Sequence, residues 1–282
     1  MRCGPSITSM TLAAALIVAN AAASAHDESQ YPDWSGQWRR PQGLGIQWDP
    51  SKKLGRDEAA PLTPEYQKIF EAGLADQAAG GQGNDPTYTC IPPGMPRAMT
   101  VVFPMEIVIL PQLTYILQEY VPMIRRVYTD GRSIPTDEEP AFLGYSVGKW
   151  LDTDGDGKFD TLEIETRNFK GPRTFDASGI PLHEDNLTVV KERIYLDKTD
   201  KNMLRAEITT TDNALTRPWT VMKTYARETT RRTVWKEEVC AEVNQHIKIG
   251  KEFYKRDANG YLMPTRKDQA KPDLKFFDQP RR

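Results

Sequence analysis

No stretch of this 282-residue chain carries the roughly 20 consecutive apolar residues that a membrane-spanning helix needs. Histidine is scarce: His26, His183 and His246 are all there is. No pair of histidines or cysteines has the spacing of a zinc site. The Gly-x-Ser-x-Gly elbow, the phosphate loop and the dinucleotide fingerprint are all missing, which removes the usual sequence grounds for a serine hydrolase, a nucleotide hydrolase or a nicotinamide enzyme. A surplus of positive charge is missing too. The chain has 37 basic and 39 acidic residues, a balance that argues against nucleic acid or an anionic membrane as the main partner.

What is present begins with a processing signal. Arg2 precedes an apolar core from Met10 to Ala19, and Ala23-Ser24-Ala25 is a small-residue cleavage site; residues 1–25 therefore read as a secretory signal peptide. The expectation is an exported protein, periplasmic or extracellular. Removing the signal takes Cys3 with it and leaves Cys90 and Cys240. In an oxidising compartment these two are expected to form one long-range disulfide.

The most specific motif is Asp152 to Glu163, which fits the twelve-residue calcium-loop pattern at each ligand position. Asp152, Asp154 and Asp156 supply carboxylates at positions 1, 3 and 5, and Gly157 allows the sharp turn at position 6. The Lys158 carbonyl, Asp160 and Glu163 would complete the set at positions 7, 9 and 12. Carboxylates this close repel one another, so Ca²⁺ is the expected cofactor. The flanks differ from those of a helix–loop–helix sensor. Leu162 and Ile164 alternate with Glu163 and Glu165 as in a half-buried strand, while Phe142 to Leu151 is aromatic and glycine-rich. The loop thus reads as the tip of a β-hairpin over residues 142–166, with a structural rather than a switching metal.

Around that hairpin the pattern is one of short strands. Met105–Leu110, Thr114–Tyr120, Ile124–Tyr128, Leu187–Leu196, Met203–Thr211, Trp219–Ala226 and Thr233–Cys240 are rich in β-branched and aromatic residues, with turn signals between them. With the two hairpin arms this makes about nine consecutive strands without intervening helices. The fold class is mainly β: an antiparallel meander closing into a barrel-like domain, lipocalin- or calycin-like, or a sandwich. The expected β domain covers residues 105–267. Before it, residues 26–104 are irregular except for a helix over 63–79, with Thr63 as N-cap, Pro64 at the first position and Tyr66, Ile69, Phe70 and Leu74 as its apolar stripe. Trp34 and Trp38, four apart, are placed to plug a barrel end. Residues 268–282 form a polar tail.

Candidate functional residues follow from chemistry rather than motif. His183 lies beside Glu184 and Asp185 in a proline-stiffened loop, an arrangement suited to a general base; a loop histidine bonded to its neighbours is the commoner outcome. Arg97 is held in a loop with three prolines after Cys90, where it can grip a carboxylate, the protein's own or a ligand's. Arg125 and Arg126 occupy opposite faces of one strand, so one must point inward and be paired, by an internal carboxylate or by an anionic ligand. Tyr145, in the aromatic flank, completes the ligand-binding set of Arg97, Arg125 and Tyr145. A copper brace at His26, completed by His183 or His246, has no other support.

Several segments resemble a large uncharacterised family of exported bacterial proteins: Pro32 to Trp38, Pro61 to Glu65, Cys90-Ile-Pro-Pro-Gly-Met-Pro-Arg97, Tyr128 to Arg132, Tyr145-Ser-Val-Gly-Lys-Trp150, Asp160 to Thr166 and Arg217 to Thr220. The resemblance runs in order over most of the chain after residue 25. It implies an exported location and a β architecture, and no particular activity. Members of that family commonly carry a short Trp-Glu-Gly-Asp turn where this chain has Trp150 through Asp160, which makes the calcium loop an elaboration of a hairpin the family builds without metal. The reading is an exported, calcium-binding β protein that binds a small, partly apolar ligand. The rivals are a cofactor-independent hydrolase or lyase using His183, and a cell-surface or assembly protein, which would need an exposed apolar patch. Nothing in the sequence specifies the oligomeric state.

Overall fold

Alternation of buried with half-buried or exposed side chains along most strands lets one sheet bend around a single core. The structure, a computed structural model, describes residues 27–41, 46–78, 83–100, 103–230, 233–236, 240, 246–249, 252–256, 261–264 and 268–270. The signal-like segment, His26 and most of the expected tail lie outside these residues. Nine strands form a closed barrel: β1 (Gln37–Arg39), β2 (Met105–Leu110), β3 (Leu113–Gln118), β4 (Met123–Tyr128), β5 (Tyr145–Leu151), β6 (Thr161–Arg167), β7 (Val189–Leu196), β8 (Met203–Thr211) and β9 (Trp219–Arg227). Eight of these are the expected strands, within a residue or three at each end. The short β1 bridges β2 and β9 and closes the barrel.

Three details differ from the expectation. The meander is not antiparallel throughout, because β4 and β5 run parallel and share only two residue pairs, Val127↔Ser146 and Tyr128↔Val147. Thr233–Cys240 is not a strand where it is described: residues 233–236 have no regular structure. They lie against the barrel, with Val234 C=O accepting from Gln37 Nε2 (3.4 Å) and Lys236 N–H donating to Glu119 Oε2 (3.0 Å). A separate three-stranded sheet follows, β10 (His246–Ile249), β11 (Glu252–Arg256) and β12 (Leu262–Pro264). Cys90 and Cys240 form the disulfide across 150 positions of sequence.

The helix α1 (Pro64–Ala78) starts at Thr63, whose Oγ1 accepts from Tyr66 N–H. Tyr66 and Phe70 are buried while Ile69 is exposed. Its apolar stripe meets loops at the barrel's end rather than a strand, with the Tyr66 ring tilted against His183 at 5.1 Å. One barrel end is covered by Tyr31, Trp34, Trp150 and Phe159, whose ring centroids are 4.9–5.3 Å apart where they touch. Trp34 and Trp38 do share this region, though only Trp38 is in a strand, and its Nε1–H donates to Trp34 C=O. Trp48, Phe175 and Trp219 cover the other end.

The barrel interior is filled by the chain itself. Residues 94–100 reach into it: Ala98 C=O accepts from Gln118 Nε2 (2.6 Å), Met99 C=O from the Tyr225 hydroxyl, and Thr100 C=O from Arg40 Nη1 (3.1 Å). Arg97, Ala98, Met99 and Thr100 are all buried. Among the described residues, a ligand therefore has to be sought at the surface clefts.

Candidate functional site

Each candidate arginine is answered by a particular carboxylate. Arg125 points inward from β4 and pairs through both nitrogens with Glu192 of β7, with Ser146 and Thr166 hydroxyls accepting from its remaining donors. Arg97 is buried and holds Asp85 in a bidentate pair, Nη2 to Oδ2 being 2.9 Å, with Thr174 and Thr87 hydroxyls beside it. Bidentate pairs of this kind use the planar fork of the guanidinium fully. Neither arginine has charge to spare for a ligand, and the gripping role assigned to them from sequence goes to internal order instead.

The strand parity that sends Arg125 inward turns Arg126 outward. Arg126 is exposed, lies over the Tyr115 ring at 5.6 Å and donates to the Tyr115 hydroxyl (3.3 Å). The Tyr115 and Tyr128 hydroxyls beside it raise its pKa further. It has no carboxylate partner among the described residues.

Arg126 lines a cleft of about 470 Å³ together with Pro92, Ile124, Tyr128, Phe142, Leu143 and Tyr145, within the usual size range of small-molecule sites. The cleft exists because of the short β4–β5 pairing. Had residues 141–144 continued β5 backward alongside Met123–Arg126, they would have filled it. Instead the chain turns away: Gly144 N–H donates to Ala141 C=O, and Phe142 C=O accepts from Met95 N–H. Gly144 sits at φ +67°, and a Cβ there would lie 2.6 Å from Arg167 C=O, so the turn requires glycine. Tyr145 and Tyr128 stack at 5.0 Å on the cleft's rim, and Arg132 donates to the Tyr145 hydroxyl (3.3 Å).

His183 lies in a different cleft of about 440 Å³, with Tyr66, Asn84, Arg173, Thr174 and Asn186. Its Nδ1 is 3.0 Å from Asp185 Oδ2 and 3.1 Å from Asp185 N. A protonated Nδ1 donates to the carboxylate and an unprotonated one accepts from the amide, so either tautomer is held. Burial raises the Asp185 pKa, but the Leu187 N–H, Asn213 and His183 outweigh it and hold the carboxyl below its usual range. Glu184 lines the cleft and its N–H donates to the Tyr66 hydroxyl. Arg173 is buried, bonded to Met95 C=O, Asn186 Oδ1 and Thr188 Oγ1, and burial lowers its pKa. His183, Arg97, Arg125 and Tyr145 thus do not converge: Arg125 and Tyr145 border one cleft, His183 another, and Arg97 neither. His246 belongs to β10.

In the acidic loop, Asp152, Asp154 and Asp156 bring carboxylate oxygens within 4.8 Å of one another. Backbone N–H groups of Gly155 and Gly157 donate to Asp152, and that of Lys158 to Asp156, so the turn curls around its own carboxylates. These three fit a hard cation. The later ligand positions stand apart: Asp160 Oδ2 accepts from Thr153, and Glu163, facing outward from β6, pairs with Arg193 at 3.3 Å. A strand carries position 12 away from the loop where a helix would turn it back.

One buried cluster had no signal in sequence. Glu58, Asp176, Arg40 and Lys223 meet beneath Trp48: Glu58 accepts from Asp49 and Gly55 N–H, Asp176 from Trp48 and Ser178 N–H, and Lys223 donates to the Gln47 and Trp48 carbonyls. Burial, then the neighbouring Asp176, pushes the Glu58 carboxyl up to about 9, so it holds a proton at neutral pH. Burial and Arg40 pull the Lys223 ammonium down. These partners come from loops far apart in sequence, and no local pattern announces them.

Comparison of the chain with models of protein families and with curated proteins yields no match.

Proposed function

We propose that the protein is an exported, calcium-stabilised β barrel that binds a small, partly apolar ligand bearing a carboxylate, in the cleft between β4 and β5. The observation that carries this reading is Arg126: an exposed guanidinium without a carboxylate partner among the described residues, bordering an aromatic-lined cleft that a required glycine keeps open. A carboxylate meets Arg126 while an apolar body lies against Phe142, Tyr145 and Ile124. The disulfide suits an oxidising compartment, in keeping with the signal-like N-terminus. Asp152, Asp154 and Asp156 would hold Ca²⁺, and its role is to stiffen the hairpin tip. Titration calorimetry with 3-phenylpropionate should give a saturable heat that Arg126→Ala weakens about tenfold and His183→Ala leaves unchanged. Equal heats for wild type and Arg126→Ala would overturn the assignment.

A second reading has its own observation, the contact of His183 Nδ1 with Asp185 in a cleft that also holds Tyr66 and Arg173. Such an oriented imidazole can act as a general base in a cofactor-independent hydrolase or lyase. Turnover of an ester or lactone panel that falls about 10²–10⁴-fold in His183→Ala would favour it; wild-type rates no higher than buffer would remove it.

A further inference from the structure

We propose that the ligand taken by the β4–β5 cleft is an extended peptide segment, which adds as a strand to the open edge of β4 and presents a carboxylate to Arg126. The inference rests on the reading of that cleft as the binding site, and goes beyond it in naming the chemical class of the occupant.

The edge is defined by hydrogen-bond parity. Thr129 N–H donates to Gln112 C=O, one step beyond the Leu113↔Tyr128 pair. In an antiparallel ladder this fixes Val127, Arg125 and Met123 as the residues whose backbone groups face β3. Those of Ile124, Arg126 and Tyr128 then face the other way. The parallel pairs with Ser146 and Val147 engage Tyr128 and the Arg126 carbonyl. Among the described residues, the Ile124 N–H and C=O and the Arg126 N–H are left directed into the cleft without a strand partner. These groups lie on one line at strand spacing, which a small rigid ligand cannot match and a peptide backbone does.

The surroundings favour the same occupant. The outer face of β2, β3 and β4 is apolar along matched cross-strand rows: Val108 beside Tyr115, Leu110 beside Leu113, and Leu117 beside Ile124. Val108 is 41%, Leu110 40% and Ile124 62% exposed. The outer face of β5 to β8 is different, carrying the pairs Glu163–Arg193, Glu165–Lys191 and Asp197–Arg205. An added strand would continue the apolar sheet, with alternate side chains lying beside Ile124 and dipping toward Phe142 and Leu143. Arg126 is the one charge in those apolar rows apart from Glu106 at the β2 start, so it selects a partner whose complementary group is a carboxylate, either an acidic side chain or a free C-terminus.

The test uses the full chain and three probes in titration calorimetry: an acetylated five-residue peptide of alternating valine and threonine with a free C-terminal carboxylate, the same peptide with its edge-facing amides N-methylated, and 3-phenylpropionate. The expected result is saturable binding of the first peptide, at least a tenfold loss on N-methylation, and about a tenfold loss in Arg126→Ala. If the two peptides bind equally, or if 3-phenylpropionate binds and neither peptide does, strand addition is overturned while the cleft remains a ligand site. If none of the three binds, both readings fail together.

Discussion

Arg125 projects into the barrel and Arg126 out of it, and the two side chains carry opposite parts of the account. Arg125 and Glu192 are buried with their lone pairs and protons matched by Ser146 and Thr166. Removing one partner strands the other charge, so Arg125→Ala should lower unfolding free energy by about 3–5 kcal/mol in urea titration. Replacing both with apolar residues of similar size should cost far less. Alternation in the sequence was enough to say that one of the two arginines must be inward. It could not name Glu192, which lies 67 residues on and meets Arg125 only when the barrel closes. Glu58 was beyond reach for the same reason. Its folded pKa lies above its unfolded value, so between about pH 4.5 and 9 the folded state holds a proton that the unfolded state has lost. Stability attributable to Glu58 therefore falls as pH rises through that window, by up to about 1.4 kcal/mol per unit. Lys223, with its pKa lowered by burial, contributes a slope of the opposite sign. The comparison of wild type with Glu58→Gln isolates the Glu58 part: the variant should gain on wild type steadily from pH 5 to 9 in denaturation midpoints, and parallel curves would disprove the buried proton.

At the scale of elements, strand existence was legible because alternation and turn residues are local, and eight barrel strands appear where the pattern set them. The hairpin carrying the acidic loop was legible as a hairpin for the same reason. Its ligand set was less so, since the motif's spacing presumes a helix after the loop and the chain supplies β6. The loop is nevertheless tied to the barrel's aromatic cover: Phe159 N–H donates to Gln30 C=O (2.8 Å), and its ring meets Tyr31 and, through it, Trp150. Millimolar Ca²⁺ should therefore change tryptophan emission and raise the melting temperature. Asp154→Ala should abolish both responses, and unchanged emission and melting in wild type would discard the metal. The seam depends on Gly144. Gly144→Ala meets a positive φ and a carbonyl at once, and should cost about 1–3 kcal/mol, read from the urea midpoint.

For the whole molecule, closure and the disulfide are what the chain's ends contribute. β1 seals the barrel with only three residues, too few to stand out in the sequence. The disulfide could be read from elimination, because removal of the expected signal peptide would leave two cysteines, and its Cα atoms lie 5.5 Å apart. Closing so long a loop contributes on the order of 4–5 kcal/mol in the chain-entropy model; Cys240→Ser should show a loss of that order in thermal or urea unfolding. The parallel seam was not legible. Consecutive strands suggest hairpins, but the long link over residues 129–144 carries the chain back along β4 before β5 begins, so the two strands run in the same direction. That departure opens the cleft on which the functional reading depends. Amide chemical-shift mapping of the full chain during addition of 3-phenylpropionate tests it most directly. Saturable shifts are expected at Ile124, Arg126, Tyr128 and Phe142 to Ser146; shifts centred on Tyr66, Arg173 and His183, or none at millimolar ligand, would rule out the β4–β5 cleft.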